Sequence, residues 1–332
     1  MAEILKSENK APANPVLSII IVNYNVKEYI LNCIQSIQDK IDANRCPYEV
    51  IVSDNGSVDG SVEAIRERFP WVKVIKNNAN LGFSKANNIG AKQAKGEVLF
   101  FLNPDTLIIK GIEEMVEYAK VQKEVGVVGP VIYNGNNEVD DTTHLPIYTP
   151  FKLFLYYFFY RYQRRRRLLN IATHIRSLIP FEAETIMGAC IMIRKTLFNS
   201  INGFDEKFFF GQEDMDMCLT IKKNGYTNKV FPLAEIIHFR GRSSGKSEDV
   251  ILNMGSEKSL YFYKKNYPFS IFFVYLITIV FLSLHIFISF MKKIYYIISN
   301  NKTALSQRNK IIHQDWMTLK SYLNLKTIKY IL

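Results

Sequence analysis

The segment EVLFFLNPDT, Glu97 to Thr106, decides how the rest of the chain is read. Val98 to Leu102 is an unbroken apolar run, too short for a helix and suited to a strand covered on both faces. It stops abruptly at Asn103-Pro104-Asp105-Thr106. Pro104 cannot continue a central strand, and it biases Asn103 toward an extended backbone. Asp105 is therefore expected just past the carboxyl end of a buried strand, where open α/β sheets bind their ligands. A carboxylate there can hold a divalent cation, which in turn can hold a diphosphate. Asp and Thr also cap helices well. This stretch alone leaves both readings open: cation ligand, or start of the next helix.

Upstream, the same grammar repeats. Val16 to Val22 reads as a buried strand ending in Asn23-Tyr24-Asn25, followed by helical spacing over 27–39. Tyr48 to Ser53 is a second strand, closed by Asp54-Asn55-Gly56-Ser57, with a helix from Ser61 to Arg68. Val72 to Lys76 is a third, and Gly82 to Ala94 a helix leading into the strand at 98–102. Strand and helix alternate four times, which predicts a mostly parallel sheet flanked by helices. Downstream the pattern loosens. Val125 to Ile132 reads as a strand, 134–150 as a polar loop, and Glu184 to Ile193 as a strand whose Gly188 marks a close approach. Glu213 to Lys223 is a helix, and Lys229 to Phe231 and Ile236 to Phe239 are two short strands.

Charge is placed unevenly. The chain of 332 residues carries +11 overall. Segments 151–180 and 291–332 each carry +7, leaving −3 on the remainder. Two basic blocks beside aromatic and apolar stretches point to anionic lipid and away from nucleic acid. Four cysteines without paired spacing argue against a zinc ribbon or a disulfide framework and for a reducing compartment. The polar N-terminus lacks the apolar core of a secretion signal. Phe269 to Met291 is uncharged apart from His285 and long enough to cross a bilayer. Basic residues flank it on both sides, so the positive-inside rule does not orient a single span. The expected placement is the cytoplasmic face of the cell membrane, peripheral or re-entrant through 151–167 and 269–291. FKLFLYYFFYRYQRRRR, residues 151–167, reads as an interfacial anchor, or else as a core segment followed by a solvated basic turn.

The polar clusters at strand ends, together with NLGFSKANNIG (80–90), GAC (188–190) and GQEDMDMC (211–218), resemble the inverting family 2 glycosyltransferases of GT-A fold, in their rhamnosyltransferase-like branch. The resemblance covers roughly residues 16 to 245. It implies a flexible segment 1–15, a catalytic domain over 16–250 with an insertion at 151–180 facing membrane or acceptor, and a helical, membrane-associated region over 251–332. It implies that Asn25 lines a nucleotide pocket, that Asp54 with Asn55 and Gly56 receives the pyrimidine, and that Gly82, Phe83 and Asn87 pack by the ribose and sugar-phosphate. Asp105 matches the last acid of the family's Asp-x-Asp metal motif, with Asn103 replacing the first. The implied cofactor is a divalent cation, Mg²⁺ or Mn²⁺, with His238 as a further ligand and Arg240 and Arg242 on the diphosphate. Glu213 and Asp214 match the acidic pair of the family: Asp214 as the base, Glu213 as the group that orients the acceptor. Without the resemblance, acids in a first helical turn are explained by the helix dipole alone.

The implied reaction moves L-rhamnose from dTDP-rhamnose, the nucleotide sugar donor, onto a lipid-linked glycan acceptor in cell-surface polysaccharide synthesis. A UDP-dependent galactofuranosyl or glucosyl transfer is the alternative within the enzymes. A nucleotidyltransferase would want a glycine- and basic-rich signature after the first strand, which Asn23-Tyr24-Asn25 is not. A degenerate glycan-binding relative would have lost Asp105 or Asp214, and both are present. Oligomeric state is not legible.

Overall fold

A computed structural model describes residue 12, residues 14–239 and residues 248–324. These divide into two compact units. The first takes the chain up to Ile147, then Arg164–Phe209 and 213–239; the second takes Tyr148–Gln163, Phe210–Gln212 and 248–324.

The first unit opens with β1 (Leu17–Asn23), α1 (Lys27–Lys40), β2 (Tyr48–Asp54), α2 (Ser61–Arg68), β3 (Lys73–Lys76), α3 (Phe83–Gln93) and β4 (Val98–Leu102), each within two residues of its sequence expectation. β3, β2, β1 and β4 are neighbours in that order, all parallel. Alternation along the strands builds a core on each face. Ile19, Val50 and Phe100 meet Ile30 and Ile34 of α1 and Ile65 of α2. Ile20, Ile51 and Phe101 meet Ala91 of α3 and, further along, Phe198 and Phe204.

After β4 the chain departs from the expected course. Asp105 does not begin a helix. Thr106–Lys110 is a further strand, β5, followed by α4 (Ile112–Val121), which buries Ile112, Met115, Val116 and Ala119. β6 (Val125–Tyr133) follows, then α5 (Pro150–Ser177), β7 (Phe181–Ala183), β8 (Cys190–Arg194), α6 (Lys195–Ser200), α7 (Glu213–Lys223) and β9 (Thr227–His238). The single strand expected at 184–193 is thus a turn followed by β8. The two short strands expected at 229–239 are one strand. Its register against β6 slips between Phe231 and Glu235, where Pro232 lacks a ladder donor. Side chains at 156–165 and 167 of α5, which hold most of the basic-aromatic block, lie outside the described residues.

The described sheet runs β3-β2-β1-β4-β8-β6-β9-β5, with β7 on β9. β8 is antiparallel to β4 and to β6, and β9 is parallel to β6. β9 therefore runs in the direction of β1, β2 and β4, and its last residue, His238, reaches the same edge of the sheet as Asn23, Asp54 and Asn103. β5 is antiparallel to β9, so its first residue starts at that edge, Thr106 paired with His238.

The second unit holds α8 (Glu248–Asn266), a turn of 3₁₀ helix at Pro268–Ser270, α9 (Ile271–Ile298) and α10 (Lys302–Tyr322). Leu260, Ile271, Leu282, Leu319 and Tyr322 form its core.

Candidate active site

Three polar nodes occupy this edge of the sheet. The first is built on Asn23, the last residue of β1. Its Nδ2 lies 2.8 Å from Asp54 Oδ1, 3.0 Å from Ser57 Oγ and 2.7 Å from Ser61 Oγ, tying the end of β1 to the loop after β2. Asp54 Oδ2 accepts the Gly56 and Ser57 N–H groups, both at 3.1 Å, which closes the turn. Gly56 adopts φ +79°, and a Cβ there would lie 3.2 Å from Ala79 N. Exposed Asn25, at φ 55°, clamps the loop from outside: its N–H donates to Ser57 Oγ and its Oδ1 accepts from Val58 N. Asn55 Nδ2 donates to Gly82 O at 3.1 Å, and the Gly82 segment in turn meets Phe209, whose carbonyl accepts the Phe83 N–H at 2.7 Å. Asn87, buried on α3, donates to Phe83 O and fixes the first turn of that helix.

The second node is Asp105 with His238. Asp105 is buried, and neither carboxylate oxygen has a hydrogen-bond partner among the described residues; nor does Nδ1 of buried His238. The His238 Nε2 to Asp105 Oδ1 distance is 3.4 Å. The backbones hold this pair in place: Phe239 N donates to Asp105 O at 3.0 Å, and Thr106 Oγ1 to Asn103 O at 2.7 Å. Cys33 lies beneath, its Sγ 3.6 Å from Asn103 O. Burial, with Asp105's charge adding to it, pushes the Cys33 thiol up to about 12, which keeps it neutral and inert.

The third node is Glu213-Asp214 at the start of α7. Asn103 N donates to Ala189 O, and the next residue back, Gly188, donates its N–H to Asp214 Oδ2 at 2.9 Å. The turn before β8 is thus the bridge between the strand end carrying Asp105 and the helix carrying Asp214. At Gly188 a Cβ would meet Asp214 Oδ2 and Glu213 Oε1 at 3.4 Å, ordinary contact, so the acidic pair lies beside this turn without requiring a glycine there. Desolvation holds the Asp214 carboxyl above the usual carboxylate range, opposed by the Gly188 and Met215 N–H groups. A carboxylate with raised proton affinity suits a general base. Glu213 and Asp216 are buried beside it.

The structure thus gathers Asn25, Asp54, Asn55, Gly82, Phe83, Asn87, Asn103, Asp105, Glu213, Asp214 and His238 along one edge. Arg240 and Arg242 lie outside the described residues. Sequence reading had not singled out Asn23 or Ser61 as organisers of the first loop. The doubled asparagine at the end of β1 was the available signal. No group of three or more His, Cys, Asp or Glu side chains converges as a metal cage among the described residues. Asp105 and His238 nevertheless fit a cation that takes its other ligands from a diphosphate: a buried, unsatisfied carboxylate beside an imidazole suits Mn²⁺ or Mg²⁺.

The glycosyl transferase family 2 model matches residues 18–199, and the model for the N-terminal domain of galactosyltransferase matches 171–241. The chain belongs to glycosyl transferase family 2. This family 2 glycosyltransferase is 27% identical over 256 residues to the N-acetylglucosaminyl-diphospho-decaprenol L-rhamnosyltransferase of Mycobacterium tuberculosis, covering 70% of the chain and 78% of the relative. Among solved structures, a Pyrobaculum calidifontis mannosyltransferase in complex with GDP-Man and Mn²⁺ aligns with TM-score 0.57 at 15% identity, over 96% of this chain and 88% of that one. GalNAc-T7 with UDP, GalNAc and Mn²⁺ aligns at TM-score 0.55 and 15% identity, over 76% of this chain, which spans about half (48%) of it. These likenesses give the glycosyltransferase the GT-A fold.

Proposed function

We propose that this glycosyltransferase moves L-rhamnose from dTDP-rhamnose onto a sugar carried on a polyprenyl diphosphate, with inversion. The observation that carries the reading is the Gly188 bridge, which sets a carboxylate of raised proton affinity next to the strand end that holds Asp105. The rhamnosyl and lipid-linked parts are supported by the mycobacterial relative.

The nucleoside lies over the loop at 54–57. Asp54 Oδ2 is occupied by two N–H groups, while Oδ1 has only Asn23 and retains a lone pair for a ring N–H. The diphosphate sits at Asp105 and His238, which would hold the divalent cation. Bound there, the cation supplies positive charge to the departing nucleoside diphosphate. Asp214 takes the proton of the acceptor hydroxyl as that oxygen attacks the anomeric carbon, and the bond from that carbon to the phosphate oxygen breaks on the opposite face. The Gly188 and Met215 N–H groups fix the orientation of the carboxylate, and Glu213 orients the acceptor.

A UDP-hexose donor is the second reading, favoured by the galactosyltransferase model over 171–241. Titration calorimetry of the full chain with dTDP-rhamnose, UDP-galactose, UDP-glucose and GDP-mannose, with and without Mn²⁺, separates the two. The expected order places dTDP-rhamnose tightest, and only with cation. Tightest binding of a UDP-hexose would reverse the donor assignment.

A further inference from the structure

α9 is built inside out. Its outward side chains include Phe272, Leu276, Val280, Leu284, Phe287 and Met291, all substantially exposed. At 3.6 residues per turn the exposed apolar positions fill an arc of roughly 160° along the whole helix. Apart from exposed Ser283, its uncharged polar side chains and His285 lie on the other side. Thr278 and Ser289 are buried, Ser289 Oγ accepts from Arg308 Nη1 at 3.3 Å, and His285 Nδ1 lies 2.7 Å from Asp315 Oδ2. α10 is the polar partner along this inner face. Only 22% of the most apolar stretch of Pro268–Ile298 is buried, at a mean hydropathy of 2.6.

Twenty-eight residues, about 42 Å of helix, are long enough to cross a bilayer core. The neighbour forbids it. α10 runs back beside α9, and near its middle it sets Arg308 and Asp315 against Ser289 and His285 while exposing Lys310 and His313. A spanning α9 would carry those groups to the bilayer centre, where ionisable side chains are strongly disfavoured.

We propose that the second unit binds the surface of an anionic bilayer through α9, which lies in the membrane plane with α10 as its water-facing cover. The charge pattern selects lipid over a second copy of the chain. Lys292 and Lys293 sit on the two shoulders of the apolar arc, about 130° either side of its centre. Residues 291–332 hold eight Lys and Arg against Asp315 alone. Apposed copies would bring these cations together, whereas anionic headgroups neutralise them. Exposed Phe273 and Phe290 share the azimuths of Met291 and Phe272 and add to the inserted face, while exposed Tyr295, nearer the rim of the arc, suits headgroup depth. The inference is independent of which sugar is transferred.

The test uses the full chain carrying single substitutions Phe272→Cys, Leu276→Cys, Val280→Cys, Leu284→Cys, Phe287→Cys or Met291→Cys, spin-labelled and bound to phosphatidylcholine vesicles with or without phosphatidylglycerol. The four native cysteines are buried, so the label goes to the introduced one. Power saturation should place all six labels at one common depth, roughly 5–10 Å below the phosphates. Lys292→Gln with Lys293→Gln should weaken binding to the anionic vesicles by roughly thirtyfold and leave binding to neutral ones unchanged, with circular dichroism confirming an intact fold. A depth that passes through the bilayer centre along the series would overturn the proposal. So would labels that stay in water, or labels broadened by a second copy and inaccessible to lipid oxygen.

Discussion

Asp105 is the residue the fold spends stability on. Its buried carboxylate has no hydrogen-bond donor among the described residues and only the His238 imidazole beside it, Nε2 at 3.4 Å, so its burial costs free energy that no hydrogen bond offsets. Asp105→Asn should therefore fold with an unchanged or higher melting temperature, while Mn²⁺ no longer tightens nucleoside diphosphate binding. A clear fall in melting temperature, with Mn²⁺ dependence retained, would make Asp105 a structural residue. Asp214 carries the pH dependence. Its proton affinity in the folded chain is raised, so the base fills with protons at a higher pH than an ordinary carboxylate, which titrates near ~3.9. The acidic limb of kcat/KM should have its midpoint above that value and fall tenfold per pH unit below it. The stability sign is opposite to that of a salt-bridged acid. Folding favours protonated Asp214, so its contribution is greatest below the unfolded pKa and is lost as pH rises through the folded one. A profile flat down to the ordinary carboxylate range would remove Asp214 as the base. The positions of Asp54 and Asp105 at strand ends and of Asp214 at a helix start were legible in the sequence, while the roles proposed for them came from the family resemblance. The pairing of Asp105 with His238 was implied by the family resemblance alone, since the two are brought together by the β5–β9 ladder across more than a hundred residues.

The connections between elements are where backbone geometry fixes the site. Gly82 precedes α3 at φ +82°, and a Cβ there would stand 2.5 Å from Phe209 O, the carbonyl that accepts the Phe83 N–H. Gly82→Ala should cost at least about 2 kcal/mol from the backbone conformation and the clash together, read as a lowered denaturant midpoint, and should loosen donor binding as the loop shifts. An unchanged midpoint would mean that the loop relaxes freely. At this scale the first four strands and three helices were readable from local pattern, each burying apolar side chains at its own period except β3, whose Val74 and Ile75 are only partly buried. β5 was not. It begins three residues after β4 and, among the described residues, pairs with β9 alone, so nothing local announces it. α4 did carry its signal, in the spacing of Ile112, Met115, Val116 and Ala119. β9 was split in two because Pro232 reads as a strand breaker, whereas the register slip at Phe231 to Glu235 accommodates it.

At the scale of the whole molecule, the first unit contains every described residue assigned to chemistry, and the second contains the inside-out helix. The uneven charge seen in composition follows that division only in part: the basic segment from 291 belongs to the second unit, whereas Arg164 to Arg167 of the other basic block belong to the first. What composition could not supply was orientation: only the placement of Arg308 and Asp315 against Ser289 and His285 distinguishes a helix that lies on a membrane from one that crosses it. The chemistry proposed for the first unit is inverting sugar transfer with Asp214 as base. The most direct test follows dTDP-rhamnose with a polyprenyl-diphosphate-linked N-acetylglucosamine acceptor and Mn²⁺, comparing the native chain with Asp214→Asn and reading the product's anomeric configuration by NMR. The product should have the configuration opposite to the donor's, and Asp214→Asn should still bind donor but turn over ~10²-fold or more slowly; retained configuration, or equal turnover by Asp214→Asn, would rule out inversion with Asp214 as base.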